Sequence, residues 1–190
     1  FIQMDSADLT LSLIAAKANI EAKDNNGLTP LLFALRGGYL NAVKVLLHAK
    51  ANVAVRGMFG ETPLAVAAMS GFRHLSILKI LLEAKADLEV KDNTGRTPLM
   101  NAIQHSTGFI PTLQLLIDAK ADVHAKDNNG RSALSLAAAS GVHHAVDSLI
   151  AARADITAVD DDGTSILMWV ARTHHATMLR RVLTFLESVV

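Results

Sequence analysis

Apolar residues in this 190-residue chain fall in short clusters broken by Lys, Asp or His at helical spacing. Leu46-Leu47, Leu81-Leu82, Leu115-Leu116 and Leu149-Ile150 each lie downstream of a cluster built around Ala34, Ala67, Ala102 or Ala137. This spacing predicts pairs of short helices with one apolar side. A small residue suits the first helix of each pair because neighbouring pairs must approach closely there. Each pair hides its apolar side only against its neighbours, so the predicted core is continuous and one-dimensional.

The polar punctuation confirms the period. Asp24-Asn25-Asn26-Gly27-Leu28-Thr29-Pro30-Leu31 returns as Gly60-Glu61-Thr62-Pro63-Leu64 and as Asp92-Asn93-Thr94-Gly95-Arg96-Thr97-Pro98-Leu99. It returns again as Asp127-Asn128-Asn129-Gly130-Arg131-Ser132-Ala133-Leu134 and as Asp160-Asp161-Asp162-Gly163-Thr164-Ser165-Ile166-Leu167. The glycines stand at 27, 60, 95, 130 and 163, in steps of 33, 35, 35 and 33. A second landmark keeps phase with the first: Ala16-Lys17-Ala18-Asn19-Ile20 recurs from Ala49, Ala84, Ala119 and Ala152. Two motifs in register along the whole chain define a repeat protein.

The Gly-x-Thr-Pro-Leu opening, the helix pair ending in Leu-Leu and the Ala-x-Ala-Asp-hydrophobic turn resemble the ankyrin repeat over nearly every residue. The resemblance implies an all-α fold, an ankyrin-repeat solenoid of helix-turn-helix units with projecting β-turn fingers. Its expected divisions are a partial repeat at 1–23, repeats at 24–56, 57–91, 92–126 and 127–159, and a closing repeat at 160–190. Thr29, Thr62 and Thr97 read as helix N-caps. Pro30, Pro63 and Pro98 take the first helical position, where a missing N–H costs nothing. One departure is consistent. Lys or Arg stands at 17, 50, 85, 120 and 153, where the family usually carries Gly in a left-handed conformation. A side chain there costs about 1 kcal/mol, and the turn is expected to survive because its neighbours over-determine it.

The two longer steps place extra residues between paired helices, within Phe72-Arg73-His74 and within Thr107-Gly108-Phe109, ahead of Pro111. Tolerated loop variation is one reading, and a second contact surface presenting Phe72 and Phe109 is the other. The chain opens at Phe1, inside a repeat by phase, so Leu9, Leu13 and Ile14 are expected to be poorly covered, and a natural protein that continues N-terminally, or a partner over this edge, is expected. At the other end Phe185, Val189 and Val190 are apolar for a closing helix, and pack back or dock elsewhere.

Composition narrows the function. Apolar residues make up 51% of the chain, which argues against disorder. Eighteen Lys and Arg balance 18 Asp and Glu, which argues against nucleic acid as partner. Trp169 and Tyr39 do not make a stacking platform for bases. No cysteine is present, so thiolate chemistry and Cys-ligated metal are out. No run of about 18 apolar residues offers a membrane span. The eight histidines lack His-Glu-x-x-His spacing, and Asp160-Asp161-Asp162-Gly163 lacks the alternating ligands and distal Glu of a calcium loop. No nucleotide loop or nucleophile elbow occurs. The expectation is a non-enzyme with no catalytic residues, no cofactor and no metal. The family resemblance carries with it an intracellular, chiefly cytoplasmic location, with organellar or nuclear placement left open.

The resemblance implies binding through finger tips and the exposed side of each first helix. Phase places Lys23, Arg56, Lys91 and Lys126 in a basic row flanked by Arg96 and Arg131 and ending at Asp160–Asp162. This ridge favours an acidic partner segment; a solvated charged edge is the alternative. Met58-Phe59 breaks the polar finger pattern, with Arg56 and Glu61 around it and Met69 on the same side. An exposed aromatic anchor fits a binding hot spot, unless Phe59 folds onto an adjacent finger. Arg36 joins Arg56, Met58, Phe59, Met69, Lys91, Arg96, Lys126 and Arg131 as candidate partner-binding residues. The expected function is a protein–protein interaction module. The alternatives are a structural subunit of a large complex, held by its ends and convex side, and a targeting domain for an enzyme outside this chain.

Overall fold

A computed structural model describes residues 7–70, 75–105, 110–172 and 176–189. Among the described residues, helix α1 (Ala7–Ala15) precedes five helix pairs. They are α2 (Pro30–Gly37) with α3 (Leu40–His48), α4 (Pro63–Met69) with α5 (Leu75–Glu83), and α6 (Pro98–His105) with α7 (Ile110–Asp118). Then come α8 (Ala133–Ala139) with α9 (His143–Ala151), and α10 (Ile166–Arg172) with α11 (Ala176–Val189). The first helices α2, α4, α6, α8 and α10 stack in one row, and α1, α3, α5, α7 and α9 stack in a second. No named strand occurs among the described residues; fingers four and five carry isolated bridges, Lys126 with Ser132 and Val159 with Ser165.

Each first helix starts where a hydroxyl can satisfy an orphan amide. Thr29 accepts from Leu32 N at 3.4 Å, Thr62 from Ala65 N at 3.3 Å and Thr97 from Met100 N at 3.5 Å. Ser132 does the same for Ser135 N and Ser165 for Met168 N. Ala34, Ala67, Ala102 and Ala137 are buried where the first helices touch, and Leu46, Leu81, Leu116 and Leu149 fill the layer between the rows. The turns after the second helices hold the left-handed conformation despite their side chains: φ is +59° at Lys17, +66° at Lys50, +58° at Lys85, +71° at Lys120 and +65° at Arg153. The last four are followed by a buried alanine, namely Ala51, Ala86, Ala121 and Ala154, whose amides bond back to the preceding helix. That packing holds the strained residue in place.

The first described helix and the last described repeat expose positions that the internal repeats bury. Leu13 is 52% exposed, whereas its counterparts Leu46, Leu81, Leu116 and Leu149 are buried. Met168 on α10 is 57% exposed, whereas Leu32, Ala65, Met100 and Ser135 at the same phase are covered by the next repeat. Phe185 is exposed while Met178 and Val182 pack inward. Phe1, the insertion sites Phe72-Arg73-His74 and Thr107-Gly108-Phe109, His174 and His175, Val190, and the side chains of Leu9, His105 and Val189 lie outside the described residues. No described helix is long and apolar enough to cross a membrane.

The left-handed lysines give a direct test. Lys85→Gly or Lys120→Gly removes a steric penalty of roughly 1–2 kcal/mol against a chain-entropy loss of about 0.5–1 kcal/mol. Urea titration is expected to show a net gain of up to about 1 kcal/mol per site, and Lys→Val at the same positions a loss.

Candidate partner-binding surface

The fingers are built around a carboxylate. In four of the five, the leading Asp Oδ1 accepts the amides two and four residues on: Asp24 from Asn26 and Leu28, Asp92 from Thr94 and Arg96, Asp127 from Asn129 and Arg131, Asp160 from Asp162 and Thr164. Such side-chain turns satisfy tip amides that no ladder reaches. The second oxygen takes another donor: Asn101 Nδ2 at 3.1 Å on Asp92, Trp169 Nε1 at 3.1 Å on Asp160, and Arg131 Nε and Nη2 at 3.1 and 2.9 Å on Asp127. Burial pushes the Asp92 and Asp127 carboxyls up, but these hydrogen bonds outweigh it. Both are held below the usual carboxylate range. Asp160 is therefore a buried structural carboxylate, which corrects the acidic surface end expected at 160–162: only Asp161 and Asp162 are exposed.

Adjacent fingers are tied by amides and by the basic row. Asn93 N donates to Phe59 O at 3.0 Å, Asn128 N to Thr94 O at 3.1 Å and Asp161 N to Asn129 O at 3.1 Å. Gly60, Gly95 and Gly130 sit at positive φ, and a Cβ on any of them would overlap the Asn93, Asn128 or Asp161 side chain of the next finger. Arg56 Nη1 donates to Lys91 O at 2.8 Å, Lys91 Nζ to Lys126 O at 2.7 Å and Lys126 Nζ to Val159 O at 3.0 Å. The row is exposed as expected, but each cation also clamps its own finger to the next. Arg56, Lys91 and Lys126 thus have a bracing task that the sequence pattern did not reveal. Among the described residues no such bond joins Lys23 to the second finger, and a Cβ on Gly27 would meet nothing.

The second finger is built differently. Gly57 stands where the other fingers have Asp, and the carboxylate comes instead from Glu61, four residues on. Glu61 Oε2 accepts Phe59 N at 2.9 Å, the amide that the leading Asp would bind. A Cβ on Gly57 would overlap Glu61 Oε1, so the two substitutions are one adjustment. Glu61 is thus buried, not one of the exposed finger residues expected around Met58-Phe59. Its Oε1 accepts Arg36 Nη2 at 2.5 Å, an ion pair across the first and second fingers' units.

This arrangement fixes the backbone of Phe59 and leaves its ring exposed. Its N–H is bound by Glu61 and its carbonyl by Asn93, while the residue is 64% exposed. It does not fold onto a neighbouring finger. Met58, 56% exposed, stands beside it at the tip. Phe59, Val66 and Met69 form the apolar wall of a cleft of about 570 Å³, and Arg36, Arg96, Thr94 and Asn101 contribute polar groups to it. Of the nine candidate residues, the cleft brings together Arg36, Phe59, Met69 and Arg96. Met58 lies at its rim by sequence, and Arg56, Lys91 and Lys126 follow the finger ridge. Arg131 reaches the site indirectly: it takes Asp127 Oδ2, and Arg96 Nε lies 3.7 Å from the same oxygen. Nothing in the sequence pattern marks Val66, Asp92 or Asn101 as site residues. Glu61 is expected there only as an exposed neighbour of Phe59, and the Gly57/Glu61 exchange is the signal for its buried role.

His143 and Trp169 make local contacts. His143 Nε2 meets Thr177 Oγ1 at 3.3 Å. The Arg172 guanidinium lies 5.0 Å from the Trp169 ring centroid, a cation–π contact that occupies the indole face. Among the described residues no three His, Asp or Glu side chains converge to hold a metal ion.

Comparison with known families gives two matches. A model described as ankyrin repeats in three copies matches residues 52–127 and 106–187, and one described as ankyrin repeats in many copies matches residues 5–47. No curated protein matches the chain.

Two outcomes are expected from the finger chemistry. Gly57→Asp alone places a second carboxylate against Glu61 and is expected to cost about 1–3 kcal/mol, whereas Gly57→Asp with Glu61→Arg rebuilds the finger of the third and fourth repeats and recovers most of it, read as a denaturant double-mutant cycle. The pH dependence follows from the direction of the shifts. Asp92 and Asp127 titrate lower when folded than the unfolded value of about 3.9, so their contribution is complete above that value and disappears as pH falls through the lower folded pKa. Urea midpoints should fall steeply below about pH 4, and Asp127→Asn should flatten that fall.

Proposed function

The chain belongs to the ankyrin repeat family, and on that premise we propose that it is a protein–protein interaction module whose main anchor is the Phe59 cleft. The observation that carries this reading is an exposed aromatic with both backbone polar groups fixed. A backbone already held in one place has less freedom to lose on association, so more of the exposed ring's apolar area converts into affinity. Val66 and Met69 give it an apolar floor, and the partly exposed Arg36 and Thr94 give the polar rim that binding sites usually carry. The fold surrounding it contributes rigidity rather than chemistry, in keeping with a non-catalytic role.

A second reading, a scaffold subunit held by its ends, draws on the exposure of Leu13 and Met168 at positions buried in the internal repeats. The two readings separate on substitution. Proteins captured by the chain from its native source, identified by mass spectrometry and re-purified, should bind directly. Met58→Asn with Phe59→Asn should weaken that binding by about 2 kcal/mol or more by calorimetry, with the melting temperature nearly unchanged because both side chains are exposed. Binding that survives this change but is lost on Met168→Glu would overturn the module reading in favour of the scaffold.

A further inference from the structure

The cleft's hydrogen-bond accounting shows which kind of segment it fits. Its acceptors are committed. Asp92 Oδ1 takes Thr94 N, Thr94 Oγ1 and Arg96 N, and Asp92 Oδ2 takes Asn101 Nδ2. Glu61 takes Arg36 and the Phe59 amide on separate oxygens. The donors are in surplus. Asp127 is one carboxylate between two guanidiniums, and Arg131 holds it with two hydrogen bonds. Arg96 approaches the same oxygen no closer than 3.7 Å; its Nε is buried and has no hydrogen-bond partner among the described residues. Arg36 spends one N–H on Glu61 and leaves its side chain 42% exposed. A mostly buried, under-partnered guanidinium is unfavourable, and it lies beside an apolar wall made by Phe59, Val66 and Met69.

Building on the module reading, we propose that the cleft takes a peptide segment carrying an acidic residue next to a large apolar one. The apolar side chain packs on Phe59, Val66 and Met69. The carboxylate completes Arg96, with Arg36 as the second cation at the mouth. A basic or purely polar segment would meet two guanidiniums and no uncommitted carboxylate, so like-charge repulsion and lost desolvation select against it. Charge-assisted pairing to a guanidinium is also geometrically selective, which gives orientation as well as attraction.

The test is a displayed library of random peptides panned against the whole chain, followed by titration of synthetic peptides from the enriched set. The expected motif has Asp or Glu adjacent to Phe, Leu, Trp or Met. Changing its acid to the amide should weaken binding about tenfold, and raising salt should weaken it further. Arg96→Gln should abolish the difference between acid and amide peptides while apolar peptides still bind; circular-dichroism melts check that the variant folds, since Asp127 keeps Arg131. Phe59→Asn should remove both classes. Phe59-dependent peptides without an acidic residue, or an acid preference unchanged in Arg96→Gln, would overturn the carboxylate assignment and leave the module reading standing. Absence of any Phe59-dependent peptide would overturn both.

Discussion

Two helices of seven to nine residues have too little surface to bury an apolar side against each other, and this constraint governs the internal repeats. The same phase shows it from both sides. Leu32, Ala65, Met100 and Ser135, each with another described repeat after it, are buried, and Met168 in the last described repeat is mostly exposed. Cover is borrowed, so the repeats must keep a common spacing and orientation. Small residues at Ala34, Ala67, Ala102 and Ala137 set that spacing, and the hydroxyl caps set where each first helix begins.

Keeping the spacing also fixes the fingers, because each is attached to a first helix at its N-cap. Once the helices stand in a row, finger amides and carbonyls fall within hydrogen-bond reach, and Phe59, Thr94 and Asn129 carbonyls are each taken by the following finger. The side chains that close this contact leave no space for a Cβ at Gly60, Gly95 or Gly130. The recurring glycine therefore serves two demands at once, a positive φ and a close approach. The basic residues use the same register: a Lys or Arg at one phase finds a carbonyl of the next finger 2.7–3.0 Å away. Their periodicity is an outcome of bracing as well as of surface charge.

The period, the threonine caps and the left-handed lysines were legible in the sequence because each depends on local chemistry that recurs, and the exposure of Met58 and Phe59 because they stand at a tip position that the repeat makes polar elsewhere. What was not legible depends on which atoms meet between repeats. Nothing in the pattern shows that Lys91 spends its ammonium on the Lys126 carbonyl, or that Asp127 is divided between Arg96 and Arg131. Three adjoining aspartates suggest an acidic tip at Asp160, yet the finger rule that buries Asp127 applies to it too. Glu61 was misplaced for the opposite reason. Read alone, a charged residue at a tip belongs in water; read with Gly57, it replaces a missing carboxylate.

That exchange links the scaffold to the cleft. In the other fingers the carboxylate starts the turn and takes its hydrogen bonds from its own repeat, although Asp127 is also approached by Arg96 of the preceding one. Moved four residues on, it lies at the entrance of α4, where Arg36 of the preceding repeat reaches it. The first finger lacks the amide and lysine ties that join the others, so Arg36–Glu61 spans the seam that the ladder leaves open. One carboxylate thus fixes the Phe59 amide, closes the seam and sets a guanidinium at the mouth of the cleft. A fixed Phe59 backbone and a guanidinium at the cleft mouth follow from a single relocation of charge, in the finger that departs most from the repeat.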